Sequence, residues 1–159
     1  MASGQFTTHR KGAMQLMEID IKDITGKVVG KVNQETASRA FRAANEMRNS
    51  ALNVLRGQRS GRKYRKPFTK KSTYTASAPG EPPAVRSGDL RRSWRPAAAS
   101  QGETPTTFTV KPAITTDVKY APYLQDGTPK IKPRPYEEPI IDGSKQKVMA
   151  IFSEPYLNK

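Results

Sequence analysis

The sequence has no cysteine and only one histidine, His9, among its 159 residues. The absence of cysteine excludes disulfide frameworks, thiolate zinc sites and cysteine nucleophiles, and we expect a cytoplasmic compartment. A Ser-His-Asp site would have to use His9, which lies in a polar N-terminal stretch where mobility is expected. We therefore expect no catalytic role for this histidine.

Metal and phosphate sites are not indicated either. With no thiolate and one histidine, only a carboxylate-rich metal site remains, and Glu137, Glu138 and Asp142 lack the spacing of a calcium-binding loop. Residues 57–63 read GQRSGRK, which lacks the GxxxxGK[ST] spacing of a phosphate-binding loop and follows a predicted helix rather than a strand. The sequence thus predicts a protein that is not an enzyme and has no cofactor or metal.

Apolar residues are scarce. They make up 35% of the chain, against roughly 45–50% in typical globular proteins, a figure that also counts glycine. No run approaches the roughly 18 apolar residues of a membrane span, so we expect no membrane partner. The N-terminal residues have no apolar signal-peptide core, so we expect no secretory signal. The length and the 11 glycines and 13 prolines indicate one small domain with a small core, not a long helical bundle.

Positive charge is abundant and concentrated in one segment. The net charge is +14, and residues 56–95 carry +10 of it. Because such a block repels itself, we expect a loop or arm there. Tyr64, Phe68 and Tyr74 are interleaved, so the arm is expected to bind an acidic protein surface or nucleic acid. The basic residues of this arm are Arg56, Arg59, Arg62, Lys63, Arg65, Lys66, Lys70 and Lys71.

The N-terminal residues 1–33 are predicted to form an arm of strands. Met17, Ile19 and Ile21 alternate with polar residues, which fits a half-buried strand. Residues 25–27 (TGK) are typical of a turn, and residues 28–32 fit a short return strand. The competing interpretation is the start of an amphipathic helix, which the β-branched residues weaken.

Residues 34–57 are predicted to form the longest helix, ending before Gly57. Apolar residues recur there at spacings of three and four, and we expect this stripe to pack on a sheet built from residues 106–124. The stripe consists of Ala37, Ala40, Phe41, Ala44, Met47, Ala51, Val54 and Leu55.

The basic arm, residues 56–85, shows no helical or strand period and ends in prolines, so we expect extended backbone whose order depends on a partner. Residues 86–94 fit a short helix capped by Ser87 or Asp89, with Leu90 and Trp94 on one face.

Residues 106–124 fit two strands that break near Pro112, and the second ends at Tyr120, Tyr123 and Leu124. Residues 126–127 mark a turn, and residues 129–139 an extended crossover. Residues 138–153 fit a C-terminal helix whose first half Gly143 weakens. The predicted class is α+β: one long helix on a small antiparallel sheet, extended proline-rich and basic arms, and a C-terminal helix. Residues 34–159 form the single domain.

Three proline- and glycine-marked motifs follow in order: residues 79–94 (PGEPPAVRSGDLRRSW), 120–128 (YAPYLQDGT) and 134–140 (RPYEEPI). As local structure they are turns in a small domain, with Gly127 permitting the positive φ of a tight turn. Their characteristic residues are Pro79, Gly80, Pro82, Pro83, Gly88, Leu90, Arg91, Ser93, Tyr120, Ala121, Tyr123, Gly127, Thr128, Arg134 and Pro135.

These motifs closely resemble a small family of neck or tail-completion proteins, encoded between the head-closure and tail-terminator genes of long-tailed phages. The family pattern is PGxPPAxxTGxLRxSI, then YAxYxExGT, then RPFLxPA. This chain departs from it at Ser87, at Trp94 and at residues 125–126 and 136–137. The resemblance covers residues 78–141.

The resemblance implies a structural protein of the virion, assembled in the host cytoplasm as a homo-oligomeric ring around the DNA channel. Six copies are expected from the resemblance, and the sequence leaves open a ring of six or of twelve. Its implied partners are the head-closure and tail-terminator proteins and the double-stranded DNA in the channel. The residues alone leave open whether the arm faces DNA or protein. A nucleic-acid-binding protein that uses residues 56–74 is the alternative function, and a small hydrolase is the weakest one.

Overall fold

A computed structural model describes residues 6–66, 68–104 and 107–156, and its class is α+β, as predicted. A long helix packs on a small antiparallel sheet and on a C-terminal helix, and a separate two-stranded sheet lies in the basic segment. The elements in chain order are α1 (Phe6–Val54), β1 (Lys63–Arg65), β2 (Thr73–Thr75), α2 (Asp89–Ser93), β3 (Arg95–Thr104), β4 (Thr107–Thr115), α3 (Ala121–Asp126) and α4 (Glu137–Ser153).

Helix α1 begins far before residue 34, so the prediction of strands and a turn within residues 14–32 is wrong. The alternation there covers only three apolar residues, too few to exclude a helical period. β-Branched residues cost only tenths of a kcal/mol at a helix position, so they do not prevent the helix. The helix runs without a break from residue 33 to residue 34, where the sequence analysis separated arm from domain.

The C-terminal half of α1 supplies much of the core, as predicted. Ala40, Ala43, Ala44, Ala51 and Leu55 are buried, and α1 packs on β3, β4 and α4. Phe41 is 52% exposed and Ala37 is also exposed, so their predicted places in the buried stripe are wrong. The small alanine side chains let the other elements approach the helix closely, and the large ring beside this stripe is left outside.

Helices α1 and α4 lie antiparallel. Ser50 Oγ donates to the Ile140 carbonyl at 2.8 Å near one end of α4. At the other end, the buried Arg39 donates to the backbone carbonyl oxygens of Glu154 and Pro155, the latter at 2.6 Å. Gly143 makes the contact possible, because a Cβ there would come within 2.6 Å of Ser50 Oγ.

The larger sheet differs from the two predicted strands in three ways. Strand β4 continues through Pro112, which a two-stranded sheet tolerates because each strand is an edge. Its partner β3, which the sequence did not indicate, pairs antiparallel with it from Arg95 opposite Thr115. The predicted strand end at residues 120–124 is wrong, because Pro122 starts the short helix α3 there.

Two further predictions are confirmed. Helix α2 forms within residues 86–94, and both Leu90 and Trp94 are buried. Its predicted cap by Ser87 or Asp89 is wrong, because Gly88 is the N-cap and no side chain caps the helix. Helix α4 coincides with the predicted C-terminal helix. The segment before it, residues 128–136, contains only an isolated bridge between Thr128 and Ile131, in keeping with an extended crossover.

Candidate functional site

The three sequence motifs meet in one scaffold, and Arg134 lies at its centre. Its guanidinium donates to the carbonyl and hydroxyl oxygens of Ser77 and reaches the Ala78 carbonyl at 3.5 Å. Its own N–H donates to the Leu124 carbonyl at 2.8 Å, and the Gly80 N–H donates to the Pro133 carbonyl at 3.1 Å. One side chain and two backbone hydrogen bonds thus join three segments of the chain.

Tyr136 forms the apolar side of this scaffold. Its ring is buried and meets Trp94 edge-on, with 5.9 Å between the ring centroids. Its hydroxyl donates to the Ala121 carbonyl at 3.0 Å. Burial, with the nearby carboxylates of Glu137 and Asp126, raises the pKa of Tyr136 to about 12, so the phenol stays protonated and can donate even in alkaline solution.

One departure from the family pattern has a structural role in this chain. Gln125 Oε1 accepts hydrogen bonds from the N–H groups of Tyr136 at 2.9 Å and Glu137 at 3.3 Å. It thereby satisfies backbone donors at the start of α4, which have no carbonyl partner within the helix. The Gln125 amide therefore connects the second motif to the third.

The first motif is fixed around α2. Gly88 precedes the helix at φ +89°, and Gly127 ends α3 at φ +81°, both in the left-handed region that favours glycine. The Ser87 hydroxyl donates to Asp89 at 2.6 Å and is the main reason that the pKa of this carboxyl is lowered. At the other end of α2, the hydroxyl oxygens of Ser93 and Thr116 are 2.5 Å apart.

The remaining motif residues divide into anchors and exposed positions. Pro83, Leu90 and Ala121 are buried, and Pro82, Arg91, Pro135 and Thr128 are half-buried. Pro79, Tyr120 and Tyr123 are exposed, and Tyr123 is 61% accessible to solvent. The motifs therefore build a folded platform that also presents exposed tyrosines.

Glu81 attaches the basic segment to this platform. Its carboxylate accepts hydrogen bonds from the Ser60 hydroxyl at 2.6 Å, the Ser60 N–H at 3.1 Å and the Ala78 N–H at 2.8 Å. These bonds lower the pKa of Glu81 to about 2, the Ser60 hydroxyl contributing most. The sequence analysis did not identify this residue; an acid between the glycine and prolines of the first motif was the only local signal.

The basic segment forms a β-hairpin, so the prediction of an arm without regular structure is wrong. Strands β1 and β2 pair antiparallel, with Tyr64 opposite Tyr74 and 6.0 Å between their ring centroids. The Lys66 N–H donates to the Ser72 carbonyl at 2.8 Å and closes the tip. Cross-strand aromatic contact and backbone bonds offset the charge repulsion that favoured an extended arm. We call residues 62–75 the basic hairpin.

Phe68 lies at the tip of the basic hairpin and is fully exposed. Its φ of 60° lies in the left-handed region, which bulky residues rarely adopt. Lys66, Lys70 and Lys71 are close to it in sequence. The tip thus presents one aromatic ring among positive charges.

Arg59 differs from the other basic residues of the predicted arm, because its guanidinium is bound to backbone carbonyls within the fold. Its guanidinium donates to the carbonyls of Val54 at 2.6 Å and Pro83 at 3.2 Å, so it satisfies the end of α1 and holds the hairpin base. Burial lowers its pKa. Among the described residues, the other seven form no ion pair: Arg56, Arg62, Lys63, Arg65, Lys66, Lys70 and Lys71.

A groove of about 1040 Å³ lies between the basic hairpin and the platform. Apolar side chains such as Leu55, Val85 and Leu124 make up most of its lining. The charged residues of the lining are Lys66, Arg86, Asp89, Arg91 and Arg134, so cations outnumber acids. The hairpin and groove together form one positively charged, partly apolar surface.

Reactive chemistry is not apparent in the described part of the chain. No group of three or more potential metal ligands occurs among residues 6–66, 68–104 and 107–156, and no helix in these ranges is long and apolar enough to cross a membrane. The side chain of His9 lies outside the described residues, so its expected lack of a catalytic role stays a prediction. Comparison with family models, curated proteins and solved structures finds no match for this chain.

Proposed function

We propose that this protein is a structural subunit of a phage head–tail junction, a neck or tail-completion protein that forms a ring around the DNA channel. The observation that carries the proposal is the shared scaffold of the three motifs. Arg134 and Tyr136 hold this scaffold together, and Glu81 attaches the exposed basic hairpin to it. A charged projection that is hydrogen-bonded to a small domain suits recognition of a neighbouring protein.

The basic hairpin binds an acidic protein surface in this proposal. Its ladder and its tyrosine pair order the backbone that carries its six basic residues, which favours complementarity to a defined partner. A channel through which DNA slides gains little from tight phosphate contacts. Each neutralised phosphate adds about 0.9 to the logarithmic salt slope of DNA binding, so several contacts would act as a brake.

The test replaces Arg62, Lys63, Arg65 and Lys66 together by glutamine. Arg59 is left intact because it caps α1. The matched control removes the same charge at the exposed lysines Lys111, Lys119, Lys130 and Lys132. Head–tail joining is measured by complementation and by counting joined particles.

The hairpin variant is expected to reduce joining at least tenfold, and the control variant to leave it unchanged. Normal joining with altered DNA retention would favour the nucleic-acid alternative, for which the exposed Phe68 ring among lysines is the specific observation. The neck assignment itself is tested by quantifying this protein in purified particles. Absence from intact particles would refute it.

A further inference from the structure

The groove between the basic hairpin and the platform contains cations that no acid of the described fold neutralises. Lys66, Arg86 and Arg91 line it, and none of the three forms an ion pair within the described part of the chain. Asp89, the acid of the lining, already binds Arg92 at 2.8 Å and accepts a hydrogen bond from the Ser87 hydroxyl at 2.6 Å. Three cations are therefore available to an acidic ligand.

Two of these cations are partly withdrawn from water. Lys66 and Arg91 are half-buried, whereas Arg86 is exposed. Removing a charged group from water costs free energy unless an opposite charge and hydrogen-bond acceptors replace the solvent. A carboxylate supplies both, so a ligand with carboxylates gains more from these side chains than from a fully exposed lysine.

The groove also leaves large apolar side chains uncovered. Phe68, Tyr120 and Ile131 belong to its lining; Phe68 is fully exposed, and the other two are 45% and 44% exposed. They reach the groove from the hairpin tip, from the start of α3 and from the crossover that follows it. Large apolar side chains that share one concave surface are typical of a binding site. A ligand for this groove therefore has apolar as well as acidic groups.

The basic hairpin turns one of its two faces towards the groove. Tyr74, Ala76 and Lys66 line the groove, and the alternation along β1 places Lys63 and Arg65 on the opposite face. The hairpin thus has an outer face, with Lys63 and Arg65, that is separate from the inner face lining the groove.

The size and chemistry of the groove favour a peptide segment over nucleic acid. Its volume of about 1040 Å³ lies at the upper limit of the roughly 300–1,000 Å³ of small-molecule sites, which leaves room for several side chains. Aliphatic residues such as Val85 and Leu124 line it, and a nucleic acid would bring one phosphate charge per nucleotide against them. In a peptide the charged and apolar groups are on different side chains, so each can reach its own kind of neighbour.

We propose that the groove binds a segment of a neighbouring protein in which apolar side chains are flanked by carboxylates. The apolar side chains pack on Leu124 and Ile131, and the carboxylates pair with the three free cations of the lining. The inference deepens the proposed function, and the role of this segment in head–tail joining rests on that function. The binding itself belongs to the isolated chain and is measurable without a virion.

The first step of the test selects random peptides displayed on yeast against the full chain. Enriched peptides are expected to combine apolar residues with acidic residues on either side. Their dissociation constants are then measured by fluorescence anisotropy. Arg86→Gln/Arg91→Gln and Ile131→Ser are each expected to weaken binding at least tenfold, because each removes part of the lining. Trp94 fluorescence reports that the variants remain folded.

Each groove variant has a matched control outside the lining. Arg56→Gln/Arg65→Gln removes the same charge from two exposed arginines, one of them on the outer face of the hairpin. Ile141→Ser removes the same side chain from a position on α4 that is 55% exposed. Both controls are expected to bind the selected peptides within twofold of the wild-type chain.

No enrichment of acid-flanked apolar peptides would overturn the inference, as would equal loss of binding in the groove variants and their controls. The same variants test the other occupants: a single-stranded oligonucleotide by anisotropy, and a second copy of this chain by native mass spectrometry. If either associates at least tenfold more weakly with the groove variants while the peptides bind all chains alike, the groove belongs to that occupant and the inference is wrong.

The two proposals fail in different ways. Absence of the protein from purified particles refutes the neck function and leaves peptide binding at the groove unaffected. Presence in particles at a fixed copy number, with peptides that bind groove variants and controls alike, refutes only the groove inference.

Discussion

Single side chains form hydrogen bonds between segments of this protein that are distant in sequence. Arg134 donates to Ser77, which is 57 positions away in the chain. Hydrogen bonds from a charged group to a neutral acceptor contribute roughly 1.5–3 kcal/mol each when both atoms are withdrawn from water. The geometry of the platform therefore depends on this arginine more than on local turn preference.

Replacement of Arg134 by alanine is expected to lower the free energy of unfolding by about 3 kcal/mol, because the Ser77 and Ala78 oxygens lose their donor. Arg134→Lys should recover only part of the loss, since an ammonium cannot reproduce the fork of the guanidinium. Urea unfolding followed by Trp94 fluorescence measures both variants. The exposed Arg86→Ala is the control, and equal stability of Arg134→Ala would contradict the assigned role.

Glu81 makes the attachment of the hairpin sensitive to acid. Its pKa in the folded chain is about 2, below the ordinary 4.5, because hydrogen bonds from Ser60 and Ala78 favour the charged form. The stability it contributes is present above about pH 4.5 and is lost as the pH falls towards about 2. Glu81→Gln should therefore reduce the change in unfolding free energy over this interval.

The measurement is unfolding free energy in urea at pH values across that interval, for the wild-type chain and for Glu81→Gln. Hydrogen exchange at the Ser60 and Ala78 amides reports the hairpin base directly. Faster exchange of these amides in the variant at neutral pH is expected, because their acceptor is weakened. An unchanged slope together with unchanged exchange would show that Glu81 does not hold the hairpin.

Secondary-structure elements of this fold pack at short backbone distances, most clearly α1 against α4. Gly143 faces Ser50, whose hydroxyl already donates to the Ile140 carbonyl. A methyl group at residue 143 would displace that hydroxyl and break its hydrogen bond. The glycine that weakens α4 as an isolated helix thus strengthens its packing on α1.

Gly143→Ala is expected to destabilise the protein by about 1 kcal/mol, because the lost hydrogen bond and the clash exceed the gain in helix propensity. In a Ser50→Ala background the same substitution should be neutral or stabilising, since the clashing hydroxyl is gone. Thermal unfolding of the four chains in this cycle measures the coupling. Additive effects of the two substitutions would contradict the contact.

The elements with strong local signals are those that the sequence predicts correctly. Helix α2 has Leu90 and Trp94 four residues apart, and α4 and the second half of α1 have clear helical periods. Strand β3 (RPAAASQGET) has no apolar alternation and exists because β4 pairs with it. The hairpin was missed because its charge favours extension and only the pairing of Tyr64 with Tyr74 opposes this.

The candidate site was predictable by residue type but not by contact. The eight basic residues of the arm were evident from composition, but nothing local distinguishes Arg59, which caps a helix, from the other seven, six of which are exposed. Likewise, the motifs identify Arg134, but its partners come from the folded arrangement. The charge of a residue can be read from the sequence, whereas its hydrogen-bond partners are known only from the folded structure.

At the scale of the whole molecule, the core is small. Among the residues whose exposure is described, five of the eleven buried apolar residues other than proline are alanines, which remove little apolar area from water. The exposed apolar residues are large by comparison and include Phe41, Tyr123 and Met149. We therefore expect the isolated chain to be of modest stability and association to stabilise it.

The melting temperature of the wild-type chain is expected to rise with protein concentration, because association stabilises only the folded state. A tenfold increase corresponds to at most about 1.4 kcal/mol per subunit, or roughly 3–5 °C for a chain of this size. Differential scanning calorimetry over two decades of concentration measures the effect. A wild-type melting temperature independent of concentration would contradict association.

The unbroken length of α1 also has a mechanical consequence. One helix of 49 residues, about 74 Å long, supplies the domain core with its C-terminal part and has no buried residue between Thr25 and Ser38. It therefore acts as a lever: a tilt of one degree at Arg39 moves a point about 50 Å away by about 0.9 Å. A small change in the orientation of the domain therefore causes a larger displacement at the far end of the helix. The position of the helix tip thus depends on the orientation of the domain.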